Sequence, residues 1–128
     1  MNGNSDAARQ LDKRLLLYAV RIIGVVHALP KNMIGAHVAK QILRSGTSGG
    51  ANYREACGAE SRSDFIHKMQ IVVKELRETD YWLSVTREAK LLPAKRLESI
   101  LQETNELIAM SVSSVVTAKG RLQDAQER

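Results

Sequence analysis

A single cysteine, Cys57, excludes an intrachain disulfide and makes a reducing compartment the expectation. One thiol and three scattered histidines also cannot build a thiolate zinc cage or a His-x-x-x-His ligand pair. The five aromatic residues (one Trp, three Tyr, one Phe) contain no RNA-reading motif, so sequence-specific base readout has no visible apparatus. Long apolar runs are missing too. Met1 to Gln10 is polar and lacks the core of a signal peptide, and Arg14 and Arg21 interrupt the first apolar stretch well short of a membrane span. A cytoplasmic protein is expected.

With 128 residues and 44% hydrophobic composition the chain fits one domain with a real core. Only two prolines interrupt a background rich in Ala, Leu, Lys, Arg and Glu, which favours helices. Leu11, Leu15, Tyr18, Ile22, Val25 and Leu29 keep the alternating four- and three-residue rhythm of a packed helix. Leu16, Val20, Ile23 and Val26 widen that face beyond one seam. Pro30 and Asn32 mark a stop and a new start. A third helix opens at the capping sequence Ser61 to Asp64 and carries Phe65, Met69, Val72, Leu76, Thr79, Leu83 and Thr86 as its seam. Trp82, Val85, Ala89 and Leu92 form a second apolar edge. Pro93 ends this helix and stands near the first turn of the fourth, whose seam is Leu97, Leu101, Thr104, Ile108, Ser111, Val115, Ala118 and Leu122. The expected helices span about 9–29, 32–57, 62–92 and 94–123, with frayed ends at Met1 to Ala8 and Ala125 to Arg128. Short connections make the fold all-α, an antiparallel up-down-up-down four-helix bundle. The two wide apolar faces predict a homo-oligomer.

The stretch from Leu43 to Ala56 is the densest in small residues. Gly46, Gly49 and Gly50 fit neither phosphate-loop spacing, and no Val/Ile-rich strand precedes them. Read as helix, the three glycines cost roughly 2.5–3 kcal/mol against alanine. Close approach of a neighbouring helix is the expected compensation. Arg44, Ser48, Asn52 and Glu55 then share one row. On the third helix Lys68, Glu75, Glu78 and Trp82 form a matching row. If the two helices turn near residue 60, Arg44 lies level with Glu75 and Asn52 with Lys68. A partly buried polar network of Arg44, Ser48, Asn52, Glu55, Lys68 and Glu75 is expected, cross-linked by Arg44–Glu75 and by Asn52 or Glu55 with Lys68.

No catalytic set emerges, and no cofactor or metal is expected. Glu75 and Glu78 could serve as paired carboxylates, but Lys68, Lys74 and Arg77 lie within salt-bridging steps on the same helix. Asp64 and His67 stand three apart without the Glu-x-x-His repeats of di-iron bundles. No serine sits in a Gly-x-Ser-x-Gly elbow. Cys57 falls at a helix C-terminus, whose dipole disfavours a thiolate nucleophile. The net charge of +5 makes an acidic partner plausible, and basic residues are asymmetric: Leu97 to Ala118 carries none. Arg14, Arg21, Lys40, Arg54, Arg62, Lys74 and Arg77 are the candidate phosphate contacts.

Arg44 to Ser48, Gly50 to Tyr53 and Glu55–Ala56, followed by Ser61, Asp64 to Lys68, Lys74–Glu75, Glu78–Thr79 and Trp82–Leu83, together resemble the signature of the four-helix bundle protein family. That family includes the proteins encoded by intervening sequences within 23S ribosomal RNA genes. The chain departs at Gly49, where the pattern often has a branched apolar residue. The resemblance covers the middle third closely and the outer helices by pattern. It implies a small bacterial protein that assembles into a ring, a homopentamer, similar in architecture to the basic accessory protein of diversity-generating retroelements. Two functions follow as expectations: a non-catalytic bundle meeting RNA or DNA phosphates, or an oligomeric scaffold for another protein.

Overall fold

Four α-helices and their connections account for residues 5–127, which the computed structural model describes: α1 (Asp6–Ala28), α2 (Met33–Cys57), α3 (Arg62–Glu88) and α4 (Ala94–Glu127). Three helix starts are fixed by side-chain caps. Ser5 accepts from the Ala8 amide at 3.0 Å, Asn32 from Gly35 at 2.9 Å and Ser61 from Asp64 at 3.0 Å, each relieving one orphan donor of a first turn. The turn between α1 and α2 is close. A Cβ on Gly35 would stand 1.9 Å from the Pro30 carbonyl oxygen, so this position has room only for glycine.

The expected ends shift in three places. Helix α1 already runs from Asp6, and α4 continues to Glu127, about 50 Å at 1.5 Å per residue. The expected fraying at residues 1–4 and 128 lies outside the described residues. Helix α3 stops at Glu88, four residues before Pro93 demands it. Lys90 adopts φ 57°, its amide donates to Arg87 O at 3.1 Å, and the Leu91 amide reaches Thr86 O at 3.0 Å. This is a Schellman closure with lysine in the left-handed position usually held by glycine, so the stop lies in the backbone turn and not in the proline.

All six seam residues of α1 are buried, as are Met69, Val72, Leu76, Thr79, Leu83 and Thr86 of α3. Helices α3 and α4 depart in places from the strict rhythm. Phe65, Ile108 and Leu122 are only half-buried, whereas Ile66, Ile100 and Leu107 enter the core. A straight helix turns every 3.6 residues, so its inward face drifts about 20° per heptad and picks up the neighbouring position. Trp82 is half-buried with its ring 5.6 Å from His37, Ala89 caps α3 and Leu92 is buried. Of the expected second apolar edge, Leu92 is thus buried, Trp82 and Val85 are half-buried and Ala89 is exposed.

Helix α2 continues through the glycine stretch without a break. A Cβ on Gly46 would lie 2.7 Å from Ile22 Cγ1, one on Gly50 would lie 3.4 Å from Leu15 Cβ, and one on Gly49 3.7 Å from Leu76. The glycines thus let α1 and α3 approach the α2 backbone from two sides. Between α1 and α4, Arg14, Tyr18 and Arg21 meet Glu106, Thr104 and Ser99, and between α2 and α3, His37, Arg44 and Ser45 meet Trp82, Glu75 and Thr79.

Candidate functional site

The signature row of α2 faces α3 near mid-height. Arg44 donates to Glu75 Oε2 at 3.1 Å and also to Glu78. Behind this pair the buried hydroxyls of Ser45 and Thr79 lie 2.8 Å apart, and each reaches a carbonyl one turn back, Gln41 O at 3.0 Å and Glu75 O at 2.8 Å. The hydrogen bond Arg44 donates to Glu78, first, and the charge of Glu75 stabilise the Arg44 cation and hold its guanidinium charged. Arg44 nevertheless keeps half its side chain in water (51% exposed, against 12% for Glu75). The pair thus belongs with exposed bridges of about 1 kcal/mol or less, below the 3–5 kcal/mol of a fully buried one.

The rest of the expected network does not form. The Asn52 amide donates to Ser48 O at 2.9 Å and the Ser48 hydroxyl to Ser45 O at 3.3 Å, both inside their own helix. Lys68 is 3.8 Å from Asp64 on α3, and Glu55 is exposed with no ion pair among the described residues. Short Ser and Asn side chains in a helix reach the preceding turn's carbonyl more readily than a neighbouring helix. Lys68 finds its nearest carboxylate one turn away. The Ser45–Thr79 pair, by contrast, was missed because both residues are small and one sits just off the charged row.

Several candidate phosphate contacts are internal clasps instead. Arg14 Nε donates to Glu103 Oε2 at 3.1 Å, its Nη2 to Glu106 at 3.0 Å, and its Nη1 lies 3.3 Å from the Met110 sulfur. Glu103 and Glu106 raise the Arg14 pKa by hydrogen bonding, and in return the Glu106 carboxyl is held below its usual range, chiefly by Arg14 and then by Gln102. Arg54 grips Asp12 through two bonds, at 2.8 and 3.2 Å. Arg21 donates to Ser99 Oγ at 2.9 Å. Arg62 lines a cavity of about 540 Å³ at the end where α1 begins and α4 ends, floored by Tyr53, Cys57, Phe65 and Met110. Lys40, Lys74 and Arg77 are exposed and unpaired among the described residues. The candidate cations therefore do not gather into one patch. Reading the sequence missed the Arg14 clasp because Glu103 and Glu106 lie about 90 residues away.

Two surface features complete the picture. Leu16, Leu17, Val20 and Ile23 leave 43–59% of their surface on the outside of α1, with Leu43 of α2 also exposed. The expected widening of the α1 face is thus real and unpartnered within the subunit, except at Val26, which is half-buried. No helix is long and apolar enough to cross a membrane, and no cluster of three or more metal-binding side chains forms among the described residues.

Four helices packed around a common core make this an all-α bundle protein. Residues 12–113 match the family described as 23S rRNA-intervening sequence protein, and the chain belongs to that family. It is similar to the crystal structure of a protein with unknown function from the S23 ribosomal protein family of Bacteroides thetaiotaomicron VPI-5482. The TM-score is 0.78 at 39% identity, covering 82% of this chain and 97% of that one. No curated protein matches the chain.

Proposed function

We propose that this chain is a non-catalytic, cytoplasmic protein whose antiparallel up-down-up-down bundles assemble into a ring-shaped homo-oligomer that associates with RNA or DNA phosphates. The observation that carries the reading is the fate of the carboxylates. Asp12, Asp64, Glu75, Glu78, Glu103 and Glu106 are engaged by cations of the same chain. A net charge of +5 remains and faces solvent on lysines and arginines. Such a surface binds polyanions by releasing their counterions, with weak sequence preference. Purified protein is expected to bind mixed-sequence RNA or DNA at low salt and to lose at least about tenfold in affinity between 50 and 200 mM salt. Affinity indifferent to salt would overturn the reading.

A second reading, a scaffold for a protein partner, is favoured by the exposed stripe of Leu16, Val20 and Ile23. The homo-oligomer covers that stripe with a second copy, and five subunits follow from the family resemblance alone. Light scattering distinguishes the two: Val20→Glu should dissociate a homo-oligomer, whereas a wild-type monomer of 14.2 kDa leaves the stripe for another protein.

A further inference from the structure

We infer that the end of the bundle formed by the α1–α2 and α3–α4 connections is the surface that meets nucleic-acid phosphates, with Lys31, Lys90, Lys95 and Arg96 as its contacts. The inference rests on the nucleic-acid reading above and locates it. Arg21 touches Ser99, and His37 touches Trp82, so the segments beyond these contacts, residues 29–32 and 89–93, emerge at the same end. There Lys31, Arg87, Lys90, Lys95 and Arg96 face only two carboxylates, Glu88 and Glu98. Glu88 is taken by Arg87, at 3.0 Å. Lys31 rests on the His27 carbonyl at 3.1 Å, and none of the four proposed contacts has a carboxylate partner among the described residues.

The opposite end is built differently. There Asp6, Asp12 and Asp64 pair with Arg9, Arg54 and Lys68. Cations and carboxylates balance closely at that end; at mid-height Arg14 and Arg44 each hold two glutamates, and Lys13, Lys40, Lys74 and Arg77 are spread over three helices with no ion pair among the described residues. The largest local surplus, five cations against two carboxylates, is therefore at the loop end, where Lys90, Lys95 and Arg96 are exposed. Lys95 and Arg96 also occupy the first turn of α4, where cations oppose the helix dipole and carboxylates would favour it. Their placement is poor for stability and suited to an anionic partner. A nucleic acid fits better than a membrane, because Met33 and Ile34 are the large apolar side chains exposed beside these cations. An interfacial membrane helix buries a broad Trp, Phe and Leu face instead.

The test compares two variants of equal net charge. One carries Lys31→Gln, Lys90→Gln, Lys95→Gln and Arg96→Gln. The other carries Arg9→Gln, Lys13→Gln, Lys119→Gln and Arg121→Gln, all exposed positions away from this end. Both are titrated with a short mixed-sequence RNA, the corresponding DNA duplex, and vesicles containing phosphatidylserine, and their folding is checked by circular dichroism. The loop-end variant should lose at least about tenfold in nucleic-acid affinity and reduce the salt slope by about 3–4 units, while the other stays near wild type. Equal losses in both variants overturn the localisation and leave the nucleic-acid reading standing. A wild-type chain that binds no nucleic acid at low salt overturns both, and one that binds only the vesicles assigns this end to a membrane surface.

Discussion

Helix α1 is held by opposite means on its two flanks. On the α2 side Gly46 and Gly50 remove side chains so that Ile22 and Leu15 lie against bare backbone. On the α4 side long side chains bridge the gap: Arg14 to Glu103 and Glu106, Tyr18 to Thr104, and Arg21 to Ser99. The first flank depends on shape along its middle, where a Cβ on Gly46 would press into Ile22, and its ion pair among the described residues, Arg54–Asp12, lies nearer the start of α1. The second depends on polar groups, leaves room for the cavity at one end, and should respond to pH.

The largest break expected comes from the glycine flank. Gly46→Leu must displace the buried Ile22 side chain and should cost about 3 kcal/mol, read as a lower urea midpoint at unchanged m-value. A stability within error of wild type would show that the flank is not tightly packed. On the other flank, Tyr18→Phe removes one hydrogen bond of 2.6 Å. Thr104 already donates to Ile100 O at 2.6 Å, so the Tyr18 hydroxyl is the donor between them and Thr104 remains satisfied in the variant. A loss of about 1 kcal/mol is expected from the same denaturation curve.

Gly24 supplies the control for the glycines. A Cβ there meets nothing within 4 Å, so Gly24→Ala should stabilise by about 0.5–1 kcal/mol, opposite in sign to Gly46→Leu. The last expected effect separates the flanks by acid. The Glu106 carboxyl is held below its usual range by Arg14, so its contribution is present above the unfolded carboxylate's pKa and is lost as pH falls through the lowered folded value. Amide exchange should therefore quicken around the Arg14 contacts of the α1–α4 flank as pH falls below the ordinary carboxylate range, before it does along the glycine-packed middle of α1–α2. Simultaneous loosening of both flanks would refute the distinction.

The four helices were legible because burial repeats along each of them. The six-residue seam of α1 is a purely local pattern, and Asn32 and Ser61 announce their caps within three residues. The glycine stretch was also legible as a thinned helix, since nothing near it has phosphate-loop spacing. What escaped was non-local or backbone-borne. The stop of α3 depends on Lys90 taking a conformation that its side chain does not favour. The pairing of Arg14 with Glu103 depends on which of many surface carboxylates the fold brings near. Asn52 and Lys68, expected to meet, each turn to their own helix, because helical spacing does not fix the choice among competing partners.

The glycine-thinned helix also carries a consequence for the order in which the chain folds. Isolated helices are marginal below a dozen or so residues even with good formers, and each glycine lowers propagation further. Residues 33–57, with Gly35, Gly46, Gly49 and Gly50 among them, have little reason to coil before α1 and α3 offer a surface to coil against. The segment that bears the family signature is then the one that consolidates late. Its sequence is read by its neighbours, and the nucleus belongs to helices that need no such help.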